Sequence, residues 1–129
     1  MARITQLVIR SESKPGTLAQ ICSELAKVAV NITAVLASPE PGHGIRIVPE
    51  PLAAAKKVID SLQLPYTEEQ ALAVRVTDRP GALGRATRKL ASAGINIVYA
   101  YGSIVKGQDQ AMVVLGVGAS DLEKAAKLI

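Results

Sequence analysis

Two loops hold the residue combinations best suited to gripping a small charged molecule: Ser13-Lys14-Pro15-Gly16-Thr17-Leu18 and Asp78-Arg79-Pro80-Gly81-Ala82-Leu83. In each, a cation and a Pro-Gly turn stand before apolar residues at helical spacing. These are Leu18, Ile21, Cys22, Leu25 and Val28 in the first case, and Leu83, Ala86, Leu90 and Ala93 in the second. A helix start presents unpaired backbone N–H groups and the positive end of the helix dipole, which suits a carboxylate. Gly16 and Gly81 lack a Cβ, so a ligand can approach the backbone closely. Pro15 and Pro80 fit a first helical turn, where the missing N–H would be unpaired anyway.

Catalysis has less to work with. Cys22 and His43 are single residues in different elements, with no paired carboxylates around them. No nucleophile stands beside a base and an orienting group, so an enzyme is not expected. Cys22 falls on the apolar side of its helix and reads as a small core residue. His43, between two glycines, reads as an exposed hairpin tip. No Cys-x-x-Cys or similar cluster is present, and neither a metal nor another cofactor is implied. Tyr99 and Tyr101 lie two apart on one strand, share a face, and suit packing at a domain interface.

The loops must be positioned by a fold, and the chain repeats itself to make one. Pro15-Gly16 and Pro80-Gly81 are 65 residues apart, and this offset holds without a gap over residues 5–38. Identical pairs include Leu7/Leu72, Arg10/Arg75, Leu18/Leu83, Leu25/Leu90, Asn31/Asn96 and Ile32/Ile97. Such a register marks an internal duplication.

Each copy has the pattern of strand, helix, two strands and helix. Strands are expected at 4–10, 31–36 and 45–48, and again at 72–77, 96–101 and 111–117. Second helices follow at 51–61 and 120–129, with Ser120 as an N-cap. Gly42-His43-Gly44 and Lys106-Gly107-Gln108-Asp109 mark the hairpins. Residues 64–68 offer the first copy a closing strand. The order is that of an α+β, ferredoxin-like βαββαβ fold, with helices on one face of an antiparallel sheet. The division is into units 1–69 and 70–129, the second lacking its last strand. Its edge is either left open or completed by another chain or segment. Gly94 suits a left-handed helix stop, whereas its counterpart Ala29 must turn differently or accept roughly 1 kcal/mol of strain.

Composition narrows the class. Apolar residues make up 49% of the chain, with no Phe, no Trp and three Tyr, so the core is aliphatic. No apolar run approaches the ~20 residues of a membrane span. The start shows no charged-then-apolar leader, and the expected location is cytoplasmic. The net charge of +4 is modest and mixed in sign. Its densest cluster, Arg85, Arg88 and Lys89, reads as a solvated helix face.

Strand, [Lys/Arg]-Pro-Gly-x-Leu, helix and Asn-Ile, as in Lys14 to Ile32 and Arg79 to Ile97, resemble the ACT domain. The whole chain resembles free-standing tandem ACT proteins. That resemblance implies a non-catalytic regulatory protein that binds an amino acid or similar small ligand between paired domains. It also implies a homodimer or larger even assembly and a metabolic enzyme as a partner. The loop after the first strand walls the family's site, which carries over to Ser13, Lys14, Gly16, Thr17, Leu18, and to Asp78, Arg79, Gly81, Ala82, Leu83. Asn31 and Asn96 are implied near the same wall, although an Asn there can simply satisfy backbone groups at a strand entrance. Asp78 can accept an α-ammonium group where Ser13 has no charge, so the second loop is the expected better site. A second reading is a subunit that docks to a metabolic enzyme without a ligand of its own. RNA-recognition domains share the element order, but they stack bases on sheet aromatics. The strands at 4–10 and 45–48 have none, and neither nucleic acid nor membrane is an expected partner.

Overall fold

The computed structural model describes residues 2–12, 14–40, 44–103 and 107–129. Ser13, and Gly42, His43 and Lys106 of the hairpins, lie outside them. The elements are β1 (Ala2–Ile9), α1 (Thr17–Lys27), β2 (Asn31–Ser38), β3 (Gly44–Glu50), α2 (Leu52–Ser61) and β4 (Tyr66–Thr77). They continue with α3 (Ala82–Ser92), β5 (Ile97–Ser103), β6 (Gln110–Val117), a short 3-10 turn and α4 (Leu122–Leu128). The architecture is α+β and ferredoxin-like. Among the described residues, no helix is long and apolar enough to cross a membrane.

Two compact units form. One comprises residues 5–69; the other comprises residues 70–129 together with the start of β1, up to Ile4. In the first, the strands lie in the order β2-β3-β1-β4. In the second, the order is β5-β6-β4-β1, the same arrangement with β1 in the closing position. The alternatives for the second unit's missing strand are thereby resolved: a segment of the same chain, Ala2–Ile4, takes its place. The closing strand of the first unit and the opening strand of the second are one continuous strand, β4. Leu64 to Glu68 and Leu72 to Thr77 had read as separate strands because polar residues interrupt the alternation between them.

Alternation along the strands sends one set of aliphatic side chains towards the helices. In the first unit Leu7, Ile9, Ile45 and Ile47 meet Ile21 and Leu25 of α1 and Ala55 and Ile59 of α2. In the second, Leu72, Val74, Val113 and Leu115 meet Leu90 of α3 and Leu122 and Ala125 of α4. Each fully buried Leu or Ile contributes about 1.5–3 kcal/mol relative to exposure. The opposite face is buried as well at the strand centres, with Gln6 fully buried and Arg46 7% exposed. Arg46 Nε lies 3.2 Å from Glu69 Oε1, so this buried cation is paired.

The repeat reaches into the irregularities. The β2–β3 ladder shifts register between Ile32 and Ala34, and the β5–β6 ladder between Ile97 and Tyr99. The extra residues, Thr33 and Val98, are equivalent in the duplication. Each bulge exchanges the faces of the residues after it. Tyr99 and Tyr101 consequently leave the helix side that Ile97 occupies, and their rings stack with centroids 6.4 Å apart. Gly94 ends α3 at φ +74°, and Ala29 adopts φ +56° at the same place, so the strained alternative is the one realised. Both turns close with the same bond, Val30 N–H to Leu25 O and Ile95 N–H to Leu90 O, each 3.0 Å. One cap is corrected. Ser120 lies inside the 3-10 turn Ala119–Asp121, and α4 starts after Asp121 with no side-chain cap.

Candidate ligand-binding site

Gly16 and Gly81 are the N-cap residues of α1 and α3, with φ of +91° and +88° and no side-chain cap. An L side chain is disfavoured there by roughly 1–2 kcal/mol, so the backbone turn itself requires glycine. Pro15 and Pro80 stand one residue outside the cap. They do not enter the first helical turn, because the left-handed glycine comes between. In the first loop Gln20 N–H donates to Gly16 O at 2.9 Å, and Thr17 Oγ1 donates to Glu12 O at 3.3 Å. The second bond ties Glu12 to the start of α1.

Beside that loop lies a cavity of about 160 Å³ in the first unit. Ser11, Glu12, Lys14, Thr17 and Leu18 form one side, and the end of β2 with the start of β3 forms the other. Sheet register brings these together, since Ile9 pairs with Ile45 and Ser38 with Gly44. Gly44 is needed at this crossing: it has φ +57°, and a Cβ would stand 2.6 Å from Ile9 O. Glu12 and Lys14 approach to 3.9 Å with both side chains largely exposed. A solvated pair of this kind contributes little to stability. It leaves a carboxylate and an ammonium beside one cavity, complementary to the two ends of a zwitterion. A cavity of this size admits a small molecule.

The second loop differs in detail. No atom lies within 4 Å of the position a Gly16 Cβ would occupy, whereas Arg85 Nη1 stands 3.1 Å from the corresponding point at Gly81. Asp78 N–H donates to Asp109 O, and Arg79 N–H to Thr77 O, both at 2.8 Å. The Asp78 and Arg79 residues are exposed, Ala82 is buried, and Leu83 is 44% exposed. Asn31 pairs with Glu50, at the far end of the eight-residue β2 from Ser38. A strand of that length spans about 25 Å, so Asn31 does not join the loop of its own unit. Asn96 borders a shallow groove beside α3 with Gly84, Thr87 and Arg88, also away from its loop. The structure thus brings Lys14, Thr17 and Leu18 together, and adds Glu12, Ser11 and Ser38. Glu12 had a usable signal, a carboxylate two residues before Lys14 in the same turn. Among the described residues, no three His, Cys, Asp or Glu side chains gather as metal ligands.

The family model of the ACT domain matches residues 71–129. No curated protein matches the chain. Among solved structures, a protein from Bacteroides thetaiotaomicron is similar at 24% identity and TM-score 0.85, over 98% of this chain and 85% of that one. The regulatory subunit of aspartate kinase from Thermus thermophilus, in its ligand-free form, is similar at 14% identity and TM-score 0.68, over 98% and 93% of the two chains. Aspartokinase III of E. coli, in complex with lysine and aspartate, is similar at 13% identity and TM-score 0.55, over 98% of this chain and 31% of that one. At these identities the likenesses establish a shared fold.

Proposed function

We propose that this protein is a non-catalytic regulatory module of two ACT-type units in tandem, and that it senses an amino acid or similar small zwitterion. The observation that carries the reading is the cavity at the first Pro-Gly loop, with Glu12 and Lys14 beside it and an uncapped helix start in its wall. Lys14 and the α1 N-terminus attract the α-carboxylate, Glu12 takes the α-ammonium, and Leu18 meets the side chain. In ACT domains the ligand lies between paired domains, so a second copy in a homodimer is proposed to supply the facing wall. The matched ACT domain, the aspartate kinase regulatory subunit and the lysine- and aspartate-bound aspartokinase support a metabolic enzyme as the partner that reads the occupancy.

The test is a thermal-shift screen of the purified chain against the twenty amino acids. A ligand at 100 times its dissociation constant adds about 2.7 kcal/mol and raises the melting temperature. The expected result is one or two hits that disappear in Glu12→Gln and Lys14→Met and persist in Asp78→Ala. A hit lost only in Asp78→Ala would move the site to the second loop, as the sequence alone favours. No hit from any amino acid would sink the sensor reading.

A further inference from the structure

The duplication gives α1 and α3 the same frame and opposite surfaces. Gln20, Ser23 and Glu24 of α1 correspond to Arg85, Arg88 and Lys89 of α3. The three cations line one groove of about 490 Å³ together with Ser92 and Leu128. Among the described residues, none of the three has a carboxylate within 4.0 Å. The described ion pairs engage Glu12, Glu24, Glu68, Glu69 and Glu123 with other cations.

The helix itself gains little from this arrangement. Arg85 lies in the first turn of α3, where a cation opposes the helix dipole, and that turn holds no acidic residue. Cations at i, i+3 and i+4 also repel one another along the helix. Lys89, in the last turn, is favoured by the dipole, but the cluster as a whole repels itself and has no carboxylate partner among the described residues, which suits it to an anion from outside.

We infer that this groove docks an acidic peptide segment of a partner protein, one that places carboxylates over Arg85, Arg88 and Lys89 and an aliphatic side chain on Leu128. Guanidinium groups match carboxylates in a two-pronged geometry, and two of the three cations are arginines. The half-buried Leu128 in the lining favours a peptide with an apolar anchor over a bare phosphate backbone. The tyrosines Tyr99 and Tyr101 are on β5, so the groove offers no stacking platform for nucleic acid bases. A bilayer is a poorer fit, since three cations alone attract an anionic surface weakly and α3 buries its apolar side in the core. The inference gives a chemistry to the partner in the regulatory reading and is independent of the ligand cavity.

The test is fluorescence anisotropy of the whole protein with a labelled synthetic peptide of repeated Leu-Glu-Glu. Two comparison peptides carry Leu-Gln-Gln and Ser-Glu-Glu, and a single-stranded RNA and anionic vesicles are run alongside. The expected result is salt-sensitive binding of the Leu-Glu-Glu peptide, weakened about tenfold in the Arg85→Gln/Arg88→Gln/Lys89→Gln variant. Removing the same charge elsewhere, in Lys27→Gln/Lys57→Gln/Arg75→Gln, should leave binding within about twofold. Equal loss in both variants would show a non-specific charge effect and overturn the proposal. So would equal binding of the Ser-Glu-Glu peptide, tighter binding of RNA or vesicles than of peptide, or no peptide binding at all. An intact amino-acid thermal shift in the α3 variant would separate this failure from that of the sensor reading.

Discussion

Ala34 stands opposite Val48 in the first unit, and at the matching places of the second Tyr99 lies across Gly116. A Cβ on Gly116 would overlap the Tyr99 ring outright. Similarly, the buried Arg46 on β3 matches Val114 on β6 when the hairpins are aligned by their register. The backbone, by contrast, is nearly duplicated, with equivalent bulges, equivalent left-handed caps and equivalent helix-closing bonds. The duplicated frame is held by ladder and helix-closing hydrogen bonds that most side chains can accompany, with glycine required at the two left-handed N-caps. The side chains have diverged in compensating sets, each of which fits only its own unit.

The largest effect is expected from exchanging one member of such a set. Gly116→Val restores the first unit's residue but drives it into Tyr99, at a cost of about 3 kcal/mol. Combining it with Tyr99→Ala should recover most of that loss in urea denaturation. A double variant no better than the single would show that Gly116 is needed for its backbone alone. Next comes Arg46→Val, the second unit's solution placed in the first. It leaves Glu69 without its 3.2 Å ion pair and should cost about 2 kcal/mol in the same experiment.

Smaller and opposite in sign are the two helix stops. Ala29→Gly relieves a left-handed alanine and Gly94→Ala creates one; after the entropy of glycine is counted, each should shift stability by about 0.5 kcal/mol, upward and downward respectively. Equal signs would contradict the equivalence of the turns. The weakest effect belongs to Lys56, which ties α2 to β4 through Glu68 at 2.9 Å. Its hydrogen bond to Glu68 raises its pKa above 10.5, against the opposing effect of burial. A raised folded-state pKa means the contribution is complete below 10.5 and disappears as pH rises through the folded value. Glu68→Gln should therefore flatten the alkaline end of the stability profile.

Much of this was legible beforehand. The offset of 65 residues, the helical spacing of Leu18 to Leu25 and the glycine at the stop of α3 report local backbone requirements, which sequence records directly. Three things were not. The bulges at Thr33 and Val98 leave no mark, since a β-branched residue suits a regular strand as well. The fusion of two strands into β4 is hidden because residues 64–68 and 72–77 read as separate strands, with the polar Glu69 and Gln70 interrupting the alternation between them. The cavity at the first loop depends on where β2 and β3 end, which is a matter of register and not of the loop's own residues. For that reason the sequence draws attention to the more conspicuous Asp78 and not to Glu12, which borders the cavity.

The division of β1 has a consequence for how the molecule is made. Ala2–Ile4 are synthesised well before the rest of the unit they complete, which cannot be finished until α4 has been made. Throughout translation this short stretch must remain available, and the first unit can mature without it. Bulk added beside Ala2–Ile4 is therefore an intervention in the unit of residues 70–129, and a fragment of residues 70–129 would need that short peptide supplied in trans to close its sheet.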